Sequence, residues 1–194
     1  TNLDTKTTLH NATIQKALRM MNSKQLSAFD VNQAPAQTRE AFGDTPFGRG
    51  CLAAIQLIST GVRCVEVTLQ GWDTHVNNHE SHTRQNAILD PAFAALIREL
   101  RVRKMLDQTI VICAGEFGRT PKINAAGGRD HWPTGFSLAL AGGGFKGGHV
   151  HGVTYPGTSK EPQNPVRIAD IHSTVLSALG IEFEKEMMTP IGRP

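Results

Sequence analysis

Three short apolar runs set the strongest limit on how this chain can fold: VRCVEVTL at 62–69, QTIVICA at 108–114 and FSLALA at 136–141. A continuous apolar run of this length, bounded by turn residues, reads as a strand buried on both faces. The first run ends at once in Gln70-Gly71-Trp72-Asp73, and the third enters the glycine cluster at 141–148 (AGGGFKGG). Helical patterns lie around them. Over 47–60, Cys51, Ile55 and Ile58 share a face, with Gly61 just past the end. Asp90-Pro91 has the form of an N-cap followed by proline at the first helical position, and Phe93, Leu96, Ile97 and Leu100 make an apolar stripe behind it. A last helix starts at Asn164-Pro165, turns Ile168, Ile171, Val175 and Leu179 to the core, and closes at Gly180. The stretch 14–21 is weakly helical. From 23 to 45, Pro35 and Gly43 punctuate a loop with short helical pieces. Strands of this kind interleaved with helices predict an α/β fold, a mostly parallel sheet covered by helices, with ligands collecting at the carboxyl ends of the strands.

At 194 residues the chain suffices for one core, and it is read as a single domain over 1–194. Its 20 basic and 17 acidic residues are scattered without a basic block, which gives nucleic-acid binding little support. No stretch reaches the roughly 18 apolar residues of a membrane span, and TNLDTKTTLH lacks the pattern of an export signal. Cys51, Cys64 and Cys113 show no CxxC spacing and lie in apolar runs, as packed core thiols do.

The chemistry gathers at the strand ends. VEVTLQGWDTH presents Asp73 and His75, and IVICAGEFGRT presents Glu116 and Arg119. Both would lie on one edge of a parallel sheet, and the loop carrying Gly128-Arg129-Asp130-His131-Trp132 could fold back over that edge. Carboxylates and imidazoles converging in a cleft suit a divalent metal, zinc or manganese ahead of magnesium or calcium. Any one of these motifs can equally be a loop turn or a capping hydrogen bond. Trp72 and Trp132 read first as half-buried plugs beside the loops. His79 is a weaker ligand candidate within HVNNHESH, a plausible solvated loop, and His172 reads as a partly buried structural histidine.

Other chemistries lack their parts. AGGGFKGG is no phosphate loop, because Lys146 is followed by two glycines where a hydroxyl residue is required; a tight turn fits better. No Gly-x-Ser-x-Gly elbow is present, and no cysteine lies beside a histidine in sequence.

The combination of GWDTH, GEFGRTP and RDHW, together with AFDVNQAPAQTREAFGDTPFGRGCLAA, LAGGGFKGGHVHG, ADIHSTVLSALGIE and the closing GRP, resembles a sulfatase-like bacterial family of unknown function within the alkaline phosphatase superfamily, over residues 16–194. That resemblance implies an alkaline phosphatase-like sandwich and a metal-dependent hydrolase of phosphate or sulfate esters. Its metal ligands would be drawn from Asp73, His75, Glu116, Asp130 and His131, with Arg119 clamping the oxyanion. It implies a small-molecule or polysaccharide ester substrate and a periplasmic or secreted setting. It also implies that this chain is the carboxyl-terminal half, inactive alone, since the superfamily's nucleophile and first metal-binding carboxylate come from an amino-terminal half. Two departures stand out: Asp73 and His75 are closer in sequence than the superfamily's Asp-x-x-x-His, and Glu116-Phe117 stands where an Asp-His pair is usual. The second departure supports an alternative, a non-catalytic exported binding or structural protein retaining the fold.

Overall fold

The structure is a computed structural model that describes residues 9–21, 23–154, 162–186 and 188; the closing GRP lies outside them. The chain divides into two compact units, Thr1–Gln70 with Arg84–Glu99, and Gly71–Thr83 with Leu100–Pro194.

The first unit is helical. It holds α1 (Leu9–Met21), two short 3-10 turns (Lys24–Phe29 and Val31–Gln33), α2 (Ala36–Phe42) and α3 (Pro46–Ser59). Helix α3 begins where the sequence has the means to begin it: Thr45 Oγ1 accepts from the Gly48 amide at 3.0 Å, and Pro46 occupies the first turn. Gly48 also lets α2 and α3 meet, because a Cβ there would overlap the Phe42 carbonyl. Phe42, Leu52 and Ile55 are fully buried, each side chain stabilising the fold by roughly 1.5–3 kcal/mol. Ala92 and Ala95, on α4 (Asn78–Val102), are buried as well.

The run at 62–69 forms no regular element, and among the described residues no strand pairs with it. Val65, Val67 and Leu69 are half-buried while Cys64, Glu66 and Thr68 are exposed, so the segment has one inward face rather than two. Val67 packs on α3, with its Cγ1 2.8 Å from the position a Cβ on Gly50 would take. β-branched residues favour extended backbone, yet a sheet also needs a partner, and none is supplied here. Exposed Cys64 and half-buried Cys113 correct the expectation that all three thiols are core; Cys51 is buried.

Helix α4 corrects a boundary. It starts at Asn78, not at Asp90, and carries Pro91 internally, where the proline forgoes the hydrogen bond to the carbonyl one turn back. Its first turn is set by tertiary contacts: the Asn78 amide donates to the Gly127 carbonyl at 2.9 Å, and Asn78 Nδ2 donates to Thr74 Oγ1 at 2.6 Å. The supposed solvated loop HVNNHESH is therefore mostly helix.

Among its described residues, the second unit contains two separate two-stranded antiparallel sheets. β1 (Ile110–Cys113) pairs with β4 (Ala139–Gly142), with Ile110 opposite Gly142 and Cys113 opposite Ala139. β2 (Gly118–Arg119) pairs with β3 (His131–Trp132), with Arg119 opposite His131. The expected alkaline phosphatase-like sandwich with a mostly parallel sheet is thus overturned in favour of a helix-rich chain with two small sheets. The reason lies in the connections. Parallel pairing needs a crossover, usually a helix, and the residues between β1 and β4 form only turns and the β2–β3 pair. Burial agrees, since Val111 is buried but Ile112 faces out. The final helix, α5 (Ile168–Ala178), starts later than Pro165; Asp170 Oδ2 accepts from the Arg167 amide at 3.0 Å and closes its first turn. None of its described residues is buried, so its apolar stripe and exposed His172 depart from the expected core face.

Candidate metal centre

Two loops of the second unit are sewn together by backbone bonds. Asn77 N–H donates to the Ala126 carbonyl (3.2 Å), Asn78 N–H to Gly127 (2.9 Å), and Arg129 N–H to Thr74 (3.0 Å). Gly128 sits in the middle of this seam. A side-chain carbon there would overlap the His75 carbonyl and crowd the Val76 amide, so only glycine lets 127–130 lie against 74–76. Asn124 locks the turn: its Oδ1 accepts from the Ala126 and Gly128 amides at 3.0 and 2.9 Å, and its Nδ2 donates to the His75 carbonyl at 2.9 Å. The β2–β3 pair, extended by Thr120 N–H to the Asp130 carbonyl at 2.9 Å, then places Arg119 and His131 side by side.

These contacts bring Asp73, His75 and His131 to one point. His75 Nε2 and His131 Nε2 each lie 3.0 Å from Asp73 Oδ1 and 3.1 Å from each other. The three atoms form a nearly equilateral triangle. A tetrahedral zinc, with nitrogen and oxygen ligands at about 2.0–2.1 Å, separates its ligand atoms by roughly 3.3 Å, so this group could hold a metal ion with little adjustment. All three residues are exposed, which leaves the remaining coordination positions open to solvent.

Asp73 Oδ1 also accepts from Arg119 NH2 at 2.8 Å, and Arg119 NH1 donates to the Arg129 carbonyl at 3.2 Å. The Arg119 side chain is only 15% exposed, and one terminal nitrogen holds Asp73 while the other is tied to the Arg129 carbonyl. The hydrogen bond from His131, and after it that from Arg119, keeps the Asp73 carboxyl ionised, its pKa drawn down to about 2. The Phe117 ring packs against His131 with centroids 4.2 Å apart, and the Arg119 guanidinium lies 5.7 Å from the Phe117 centroid. On the other side, Thr74 is buried, with Oγ1 3.3 Å from His82 Nε2, and Trp72 meets the His82 ring edge-on at 5.2 Å.

Of the residues singled out in the sequence, Asp73, His75 and His131 meet at the triangle. Asp130 reaches the other edge of the His75 ring, its Oδ1 2.8 Å from Nδ1. Glu116, exposed in the turn between β1 and β2, adds no atom to the group. Asn124 goes unread in the sequence, Gly128 is named there only as part of the loop over the site, and Phe117 only for standing where a histidine is usual. The first two had a signal in the sequence, since Asn124 followed by Ala-Ala-Gly-Gly is the composition of a side-chain-closed turn.

Fold and site together define a helix-rich protein carrying a cluster of two histidines and one aspartate able to hold a metal. The chain belongs to the DUF1501 family, described as a protein of unknown function, whose model matches residues 1–194. No sulfatase or alkaline phosphatase family is matched, and this corrects the resemblance drawn from GWDTH, GEFGRTP and RDHW. No curated protein and no solved structure matches the chain.

Proposed function

We propose that this protein binds one divalent transition metal, zinc or manganese, through Asp73, His75 and His131, and that the centre serves hydrolysis of a phosphate or sulfate ester. The observation that carries the reading is the triangle of ligand atoms at 3.0–3.1 Å. Two imidazole nitrogens and a carboxylate oxygen are the donors that zinc and manganese accept, whereas magnesium and calcium favour oxygen donors alone. Three protein ligands with open positions are typical of a catalytic ion rather than a structural one. Such an ion, when bound, acts as a Lewis acid toward an ester oxygen and activates water. This chain's own part is to fix the geometry: Arg119 anchors Asp73, and Phe117 braces the His131 ring.

One observation favours a second reading, a non-catalytic metal-binding protein: each terminal nitrogen of Arg119 already donates to the protein, and its side chain is only 15% exposed. A single experiment separates the two. The protein is stripped with chelator, titrated calorimetrically with zinc and with manganese, and assayed for nitrophenol release from its phosphate and sulfate esters. One-to-one binding that Asp73→Asn or His131→Ala weakens at least about 100-fold, a loss of roughly 2.8 kcal/mol, supports the centre. Turnover that chelator abolishes supports hydrolysis. Binding without turnover on an ester panel supports the second reading, and no binding by the intact protein refutes both.

A further inference from the structure

We infer that Asp130, although a carboxylate beside the cluster, is a positioning residue and not a ligand: with Asn124 it fixes the tautomer of His75 so that Nε2 offers its lone pair to the ion. The inference rests on the metal reading above and deepens it. Asp130 Oδ1 is 2.8 Å from His75 Nδ1, the ring nitrogen on the edge away from the triangle. A carboxylate only accepts hydrogen bonds, so Nδ1 must carry the hydrogen. A neutral imidazole has a single N–H, which leaves Nε2 with its lone pair. That nitrogen faces Asp73 Oδ1 and His131 Nε2 at 3.0 and 3.1 Å. With its lone pair, Nε2 and Asp73 Oδ1 are two acceptors 3.0 Å apart that repel each other unless a cation lies between them, and this is the role the ion takes.

Asn124 makes the arrangement rigid. Its Nδ2 lies 3.3 Å from Asp130 Oδ1 and 2.9 Å from the His75 carbonyl, so one amide ties the orienting carboxylate to the backbone of the histidine it orients. The Asp130 amide in turn donates to Thr120 Oγ1 at 3.1 Å. Outer contacts of this kind typically change metal affinity by about 10–100-fold when removed.

The test uses the full chain in two arms. In the first, nitrogen-15 NMR of the imidazoles in chelator-stripped protein at pH 8 reads the tautomer directly. The wild type should show His75 neutral with its hydrogen on Nδ1, and Asp130→Ala should move the hydrogen toward Nε2. In the second, zinc affinity and the visible absorption of the cobalt-substituted protein are compared for wild type, Asp130→Asn and Asp130→Ala. The expected result is a loss of about 10-fold for Asn, which still accepts from Nδ1, and up to about 100-fold for Ala, with the cobalt band shape kept. A changed cobalt spectrum in Asp130→Asn, as on loss of a ligand, overturns the assignment in favour of direct ligation. So does an Nε2–H tautomer in the wild type. If Asp130→Ala fails to fold, Asp130→Asn and the wild-type tautomer decide. If the wild type binds neither zinc nor cobalt, the metal reading falls, and the NMR arm by itself upholds or overturns the pairing of Asp130 with His75.

Discussion

Gly128→Ala touches no ligand, yet it should disable the metal centre. The backbone of Gly128 lies against the carbonyl of His75, and both colliding partners are main chain, so neither can swing aside as a side-chain tip would. To restore an ordinary contact, the two loops must part by on the order of 1.5 Å, in an interior where packing tolerates far less. Such a shift strains or breaks the bonds from Arg129 N–H to Thr74 and from Asn78 N–H to Gly127, each contributing about 1 kcal/mol. Overpacking adds about 1–3 kcal/mol, so the local cost with both bonds lost is roughly 3–5 kcal/mol. Because His131 follows Gly128 closely and His75 lies across the seam, the same movement opens a triangle whose edges are 3.0–3.1 Å. Zinc affinity should fall by about 100-fold, or roughly 2.8 kcal/mol, by competition against a zinc-binding dye. Gly115→Ala is the control, because a Cβ there meets nothing within 4 Å; it should leave affinity and urea midpoint unchanged. Zinc binding by Gly128→Ala within threefold of wild type, at an unaltered urea midpoint, would refute the reasoning.

Two further predictions concern pH. Burial first, then the charges of Arg119 and Arg129, hold the His82 pKa below 6.5, so the folded state takes up its proton less readily than the unfolded one. Stability is therefore complete above about pH 6.5 and declines as pH falls toward the depressed value, and in His82→Gln the urea midpoint should vary less between pH 7 and 5; an unchanged slope refutes this. Asp170, whose pKa is lowered by its hydrogen bonds from Arg167, contributes stability above the ordinary carboxylate value of 3.8 that is lost as pH falls below it. Asp170→Asn should thus flatten the acid limb of the helical circular dichroism signal, and an acid limb identical to wild type would show that the α5 cap does not titrate with folding.

The parts of this structure that were legible in the sequence are those with local causes. The helix at α3 follows from its cap at Thr45 and the spacing of Cys51 and Ile55, and the chemistry of the site is visible in GWDTH and RDHW as residue types. What failed depends on partners distant in sequence. The segment 62–69 has the composition of a strand, but pairing is decided elsewhere in the chain, and the same holds for the direction in which β1 meets β4. Asp90-Pro91 carries a strong start signal, yet α4 already runs from Asn78 because Gly127 and Thr74 supply the partners for its first turn. Glu116 and Asp130 both look like ligands by type. Only the fold separates a carboxylate that faces solvent from one aimed at the back of an imidazole.

The convergence of Arg119 on the same oxygen as the two histidines has an electrostatic consequence. Asp73 and Asp130, both held ionised, outnumber the Arg119 guanidinium by one negative charge, a field that draws in a cation. A divalent ion reverses that sign to one net positive, and the occupied centre then attracts anions where the empty one repelled them. Affinity for a simple oxyanion such as inorganic phosphate should therefore appear only after metal loading, and should weaken with salt as a field effect does.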